Sequence, residues 1–319
     1  MPELIERAAT VALLLYLVAR LAALIIGVLS PRRDARWQRS SLVTLLACAF
    51  AAIALIWRGG VVSPDLLDDH LFGGHNWINL VQNVFTITAL WFMSAAIFGI
   101  TRNGPARLRL HWLAIALITI TVPFIFIDKG DGTGGRNFVI HTIGQTPMLI
   151  YALIYMAWLT YFGVSMLIGT TRRRSWYYVP LRVGAGLMVA AAVFYAAWAI
   201  LAYWDIGPQT ARTLLYLSFT PLFFTGIIAQ VAGSAVFTAA LFRVRANART
   251  LTIALSPDQP EPAPGTELAA LYEIVINDVN RSVVDSRPAS ASAHEAARLL
   301  SQNAAMQIPD FRRKKTYRP

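Results

Sequence analysis

Residues 180–203 read "PLRVGAGLMVAAAVFYAAWAILAY", a run with a single charged member, Arg182, near its start. A helix rises 1.5 Å per residue, so a run of this length reaches about 36 Å, more than the ~30 Å hydrocarbon core of a bilayer. A helix apolar on every face is stable only when surrounded by protein or by lipid. Six other runs read the same way, near 9–30, 40–57, 77–100, 112–127, 147–170 and 214–242. The whole chain of 319 residues is 56% hydrophobic, 14% charged and has a mean hydropathy of +0.52. Soluble domains carry about 25% charged residues, and here the shortfall is concentrated in the seven runs. The first run is too long for a secretory leader and has Arg20 in its middle. The predicted fold class is therefore all-α: a polytopic membrane protein with a seven-transmembrane-helix bundle over 1–250, a linker over 251–265 and a short helical tail over 266–319.

The loops alternate in charge. Arg32, Arg33, Arg36 and Arg39 follow the first run; Arg102, Arg107 and Arg109 the third; Arg172, Arg173 and Arg174 the fifth; Arg243, Arg245 and Arg249 the seventh. The opposite side has only Arg7, Arg58, Lys129, Arg136 and Arg212, and most of the loop acids. The positive-inside rule then predicts an N-out/C-in chain in a cell membrane. Trp57, Trp77, Trp112, Trp176 and Tyr203 fall at run ends, where an aromatic belt meets the headgroups.

The net charge of +11 lies wholly in the first 250 residues, because the remainder has eight Lys/Arg and eight Asp/Glu. Bases clustered beside apolar runs fit an anionic lipid leaflet rather than a nucleic acid. Residues 256–265, "SPDQPEPAPG", form a Pro-rich linker. Thr266 is placed to cap a helix over 266–284 whose apolar stripe is Leu268, Leu271, Ile274, Val275 and Val279. A second short helix is expected over 291–307, before the basic end "FRRKKTYRP". Two short helices bury little core alone, so the stripe calls for a cytoplasmic protein partner, a membrane face or a second copy of the chain.

The outward loop before the third run reads "DLLDDHLFGGHNWINLVQNVF", residues 65–85. Asp68, Asp69, His70 and His75 are weak metal-ligand candidates, because zinc needs three or four supported N, S or O ligands and this spacing supplies no shared face. The simpler expectation is a solvated acidic loop, with Asn76 capping the next helix. Asn76, Asn79, Gln82, Asn83 and Thr86 carry a polar stripe into the third run. Amides in lipid require partners, so this face should point into the bundle. Gly226, Gln230 and Ser234 share a face of the seventh run, where Gln230 is placed to bond across helices. Arg20 is the one base deep in a run, at a cost of at least ~2.5–3.5 kcal/mol unless it is partnered.

"GGHNWINLVQNVF" (73–85) resembles the Gly-x-Pro-Asn-Leu lead-in to the third span of a family of actinobacterial seven-helix membrane proteins. Asn76 matches its Asn, while His75 stands for the Pro and Trp77 for the Leu. "LYEIVINDVNRS" (271–282) is similar to that family's tail segment Leu-Tyr-Arg-Arg-Val-Ile-Glu-Ile-Arg-Asp. The resemblance implies the seven-span layout and a transporter or membrane regulatory role, with no reaction attached.

Catalytic patterns are lacking. There is no His-Glu-x-x-His, no paired-acid arrangement and no Ser/His couple at matching depth. Lysine occurs only at 129, 314 and 315, so no run offers a retinal Schiff base. The five histidines fall at run ends, in loops or in the tail, which leaves no haem pair and no expected cofactor. The acids of 128–137 do not alternate as a calcium loop needs. Cys48, the single cysteine, allows no disulfide framework. The expected function is a membrane sensor or regulatory scaffold whose tail engages a partner. The alternative is a small-solute transporter using a cavity near Arg20, Asn76, Asn79, Gln82, Asn83 and Gln230.

Overall fold

The computed structural model describes residues 2–29, 35–60, 64–102, 110–129, 138–171, 176–255, 262, 267–284 and 294–300. Every regular element among them is helical. In chain order these are α1 (Pro2–Leu29), α2 (Ala35–Leu55, prolonged by the π-helical turn Ile56–Gly60), α3 (Pro64–Phe72), α4 (Trp77–Arg102), α5 (Leu110–Ile125), α6 (Phe138–Thr142), α7 (Thr146–Thr171), α8 (Val179–Tyr203), α9 (Gln209–Leu255) and α10 (Glu267–Val284). Residues 294–300 form a further helical stretch. Each of the seven apolar runs falls on a long helix: α1, α2, α4, α5, α7, α8 and α9. The arginine-rich turns at 31–34, 103–109 and 172–175, the glycine-rich loop at 130–137, most of the linker and the basic end lie outside the described residues.

Four stretches are long and apolar enough to cross a membrane: Trp77–Ile97, Thr146–Thr171, Val179–Tyr203 and Gln209–Ala240. Leu42–Arg58 and Leu110–Ile125 are apolar but shorter. Only 28–44% of each long stretch is fully buried, and α7, α8 and α9 leave apolar side chains exposed on their outer faces. Val183, Val193, Phe194 and Ile200 on α8 are exposed examples. Water would penalise such a surface at roughly 25 cal/mol per Å², whereas lipid does not.

The bundle closes most tightly between α8 and α9. A Cβ on Gly184 would lie 2.7 Å from the Gly226 carbonyl oxygen, and one on Gly226 would lie 2.7 Å from Met188 Cγ. Small residues let these backbones touch, which is how helices associate where no hydrophobic effect drives them. Between them, Gln230 Nε2 donates to the Leu181 carbonyl at 2.9 Å. Trp158 Nε1 donates to Thr119 Oγ1 at 2.9 Å and ties α7 to α5. Arg182 donates twice to the Thr170 carbonyl, at 3.0 and 3.2 Å. It thereby satisfies the carboxyl end of α7, where helix carbonyls lack partners, instead of only reaching for headgroups.

Helix α9 does not stop near residue 242, as hydropathy alone suggests. It continues through residues 243–255, rich in Ala, Leu and Arg, which are strong helix formers. Against this extension Leu271 and Val275 of α10 and Ala296, Leu299 and Leu300 are buried together with Ala248. Leu271 and Val275 of the tail's apolar stripe are thus covered by the extension of α9. Sequence reasoning, which ended that helix near residue 242, did not foresee this seat.

Candidate functional site

Helices α1, α2, α4, α8 and α9 enclose a partly open cavity of about 110 Å³. A water occupies about 10–15 Å³ on this measure, so there is room for roughly eight to ten methylene-sized groups. Its walls are mostly apolar, among them Leu13, Leu55, Leu90, Phe223 and Ile227. The polar exceptions are Tyr16, Arg20, Thr44, Thr86, Tyr178, Gln230 and Ser234.

Two of these stand out. Arg20 Nε donates to the Tyr16 hydroxyl at 2.8 Å, and one Nη donates to Thr238 Oγ1 on α9, also at 2.8 Å. Its guanidinium lies 5.1 Å from the Tyr16 ring centroid. No carboxylate pairs with it among the described residues. A guanidinium has five N–H donors, so two hydroxyl acceptors leave it a cation with donors to spare. Gln230 is 1% exposed. Its Nε2 is held by Leu181, while its Oε1 is buried with no donor. Because the nitrogen is fixed by a carbonyl, flipping the amide would pair two acceptors. The orphaned atom is therefore an acceptor.

The structure brings Arg20 and Gln230 to this cavity and leaves Asn76, Asn79, Gln82 and Asn83 outside its lining. Asn83 Nδ2 donates instead to the Tyr151 hydroxyl at 2.6 Å, joining α4 to α7. The Nδ2 atoms of Asn76 and Asn79 are buried without acceptors. Gln82 contributes its backbone carbonyl, which accepts from Thr86 at 2.9 Å. The polar stripe of α4 thus faces two ways, and only its last member, Thr86, reaches the cavity.

The acidic stretch before α4, expected as a solvated loop, is the short helix α3 with Asp68 buried. Asp68, 3% exposed, accepts backbone N–H bonds from Asn76 and from Ile78, the latter at 2.8 Å. Asp68 is thus the side chain that caps α4, in the role expected of Asn76. Asn76 instead takes the left-handed conformation, with φ of 56°. Gly73 and Gly74, with φ of 69° and 77°, make the turn that lets Asp68 reach back. His70 Nδ1 bonds the Leu66 carbonyl at 2.8 Å, and Asp69 and His75 are exposed. No group of three His, Cys, Asp or Glu side chains converges on a metal position among the described residues.

One feature escaped sequence reasoning. Arg58, counted with the outward loop, turns inward on the π-helical turn. Its Nε lies 3.6 Å from Glu6 Oε1 of α1, and its guanidinium sits 5.7 and 5.2 Å from the ring centroids of Phe219 and Phe224 on α9. Charge-quadrupole attraction of this kind strengthens away from water. Lys129 repeats the theme in the next loop, 4.6 Å from the Trp77 ring and 4.9 Å from that of Phe124. Partial burial there lowers its ammonium pKa from the usual lysine range. In both cases the signal in the sequence was a base beside an aromatic at a run end, a pattern equally common at plain membrane anchors.

No family model, no curated protein and no solved structure matches this chain.

Proposed function

We propose that the chain is a seven-helix integral membrane sensor or regulatory scaffold, N-out and C-in, whose tail engages a cytoplasmic partner. One observation carries this reading: α9 is a single helix of 47 residues, about 70 Å long. Its apolar part presents Phe223, Ile227, Gln230 and Ser234 to the cavity. Its far part seats α10 and residues 294–300 through Ala248. A change in how α1 and α4 hold the cavity face of α9 therefore reaches the tail through a continuous element. Arg20 bonding Thr238 places an α1-to-α9 contact between the two ends. A ligand acts on such a rod only by the difference in its affinity for two arrangements, about tenfold per 1.4 kcal/mol.

The test is affinity capture from native membranes, using the full chain and a version lacking residues 256–319. A cytoplasmic protein retained by the full chain and lost with the tail is the expected result. Identical captures from both would sink the scaffold reading. Solute transport is the second reading, favoured by the partly open cavity with its Arg20 cation. It requires uptake into proteoliposomes that survives removal of the tail. The absence of acids among the cavity's lining residues weighs against ion coupling, which uses titratable groups at depth.

A further inference from the structure

We propose that the cavity binds a single-chain anionic amphiphile, such as a fatty acid, with a hydroxyl near the middle of its chain; this rests on the reading of α1, α2, α4, α8 and α9 as membrane helices. Three features of the walls define the ligand. The first is Arg20, a cation in an apolar setting with hydroxyl partners and no carboxylate among the described residues. An anionic head completes its bonding and offsets the cost of holding a charge there. The second is the apolar wall of Leu13, Leu55, Leu90, Phe223 and Ile227, which suits hydrocarbon and excludes a sugar or a nucleotide. The third is Gln230, a lining residue whose Oε1 lacks a donor and is covered by neighbouring atoms, so that a ligand hydroxyl reaches it by a small turn of the amide. An unmet acceptor of this kind is costly, and a ligand hydroxyl relieves it. Arg20 is anchored at position 238 of α9 and the orphan belongs to position 230, two turns or about 12 Å apart. A head on Arg20 therefore carries its hydroxyl well down the chain, and the cavity's room for roughly eight to ten methylene-sized groups agrees. The partly open side leaves the remaining chain in the bilayer.

Cys48 also lines the cavity and is the chain's single cysteine, so it reports occupancy without background. Full-length protein is placed in phosphatidylcholine nanodiscs and treated with N-ethylmaleimide, a small permeant reagent, and the mass shift is followed. 10-Hydroxystearate should slow alkylation of Cys48 and raise the unfolding temperature. Stearate should need about tenfold more for the same effect, one good hydrogen bond being worth close to that. Octadecanol, without the anion, should protect weakly. Phosphatidylglycerol, whose anion belongs to a two-chain headgroup, should not protect; equal protection by it would assign the site to bulk lipid and overturn the proposal. Gln230→Met keeps the side-chain volume but removes the bond to Leu181, so the readout is the ratio of the two acids within the variant, and the preference for the hydroxylated chain should be erased. Arg20→Gln should remove protection by both acids, and Arg20→Lys should restore most of it. If Arg20→Gln fails to fold, the wild-type ranking of the three C18 compounds decides. An equal response to all three, or none in either readout, overturns the ligand. Ligand binding that leaves partner capture unchanged would support the ligand and count only against the sensor reading.

Discussion

Asp68 holds two backbone N–H groups at the start of α4, and both belong to residues buried from solvent. Asp68→Ala should destabilise the protein by about 0.5–2 kcal/mol, the usual worth of an N-terminal cap, while Asp68→Asn should lose less. Thermal unfolding in detergent measures the difference; an alanine variant as stable as the parent would show that the cap contributes nothing. Glu6 and Arg58 make a second case. The pair is partly buried, with Glu6 inside and Arg58 29% exposed; removing one member leaves the other charge without an offset, whereas removing both costs less. Glu6→Leu and Arg58→Met should each destabilise, and the double variant should recover part of the loss. A coupling of about 0.5–3 kcal/mol is expected for residues in contact, and strictly additive effects would refute the pairing. The pair was illegible in the sequence for a plain reason. Hydropathy places Arg58 at the end of a run, where a base counts as loop, and only the π-helical turn at Ile56–Gly60 swings it back over Phe219 and Phe224. Gln230 was legible, because an amide on the small-residue face of an otherwise apolar helix has few other uses.

The contact of α8 with α9 separates two glycines that look alike in "GAG". Gly184 faces Gly226, whereas a Cβ on Gly186 would meet nothing within 4 Å. Gly184→Ala should therefore strain the helix pair and cost about 1–3 kcal/mol, as overpacking does. Gly186→Ala should be neutral or stabilise by up to about 1 kcal/mol, since alanine favours helix. Unfolding of the two variants side by side checks the orientation of α8, and equal effects would mean that the helix is rotated from the position described. At the far end of α9, Leu271 is wholly buried against Ala248 and its neighbours. Leu271→Ala should cost about 2–5 kcal/mol of local packing and should raise hydrogen exchange across Glu267–Val284 while leaving α4, α7 and α8 protected. Exchange unchanged in α10 would mean that it does not sit on α9. The amphipathic stripe of α10 could be read from its spacing, but its seat could not. That seat consists of residues past the point where α9 turns polar, and no periodicity links two segments separated by a Pro-rich linker.

The apolar helices were legible, four of them long enough to cross a membrane, because lipid imposes one requirement everywhere: backbone groups satisfied within the segment and side chains apolar outside it. Which pairs touch, and where a cavity remains between them, depends on side-chain volumes meeting across helices, and hydropathy does not carry that information. The direction of threading rests on a different property, the excess of arginine on alternate loops, and its test can be made independent of every contact described. In a Cys48→Ser background, single cysteines are introduced by Arg33→Cys, Arg173→Cys and Thr133→Cys. The first two fall in the arginine-rich segments after the first and fifth apolar runs; the third falls in the glycine-rich segment between the fourth and fifth. With the arginine-rich segments inside, as the charge pattern predicts, moving them outward would oppose the membrane potential, at about 2.3 kcal/mol per charge per 100 mV. Across several arginines that gives the chain a strong reason to keep one orientation. An impermeant maleimide applied to intact cells should modify the cysteine at 133 and spare those at 33 and 173, and all three should react once the membrane is opened. Labelling of 33 or 173 in intact cells would invert the bundle. It would put the α9 extension and α10 outside, away from any cytoplasmic partner, and the sensor reading would fall with it.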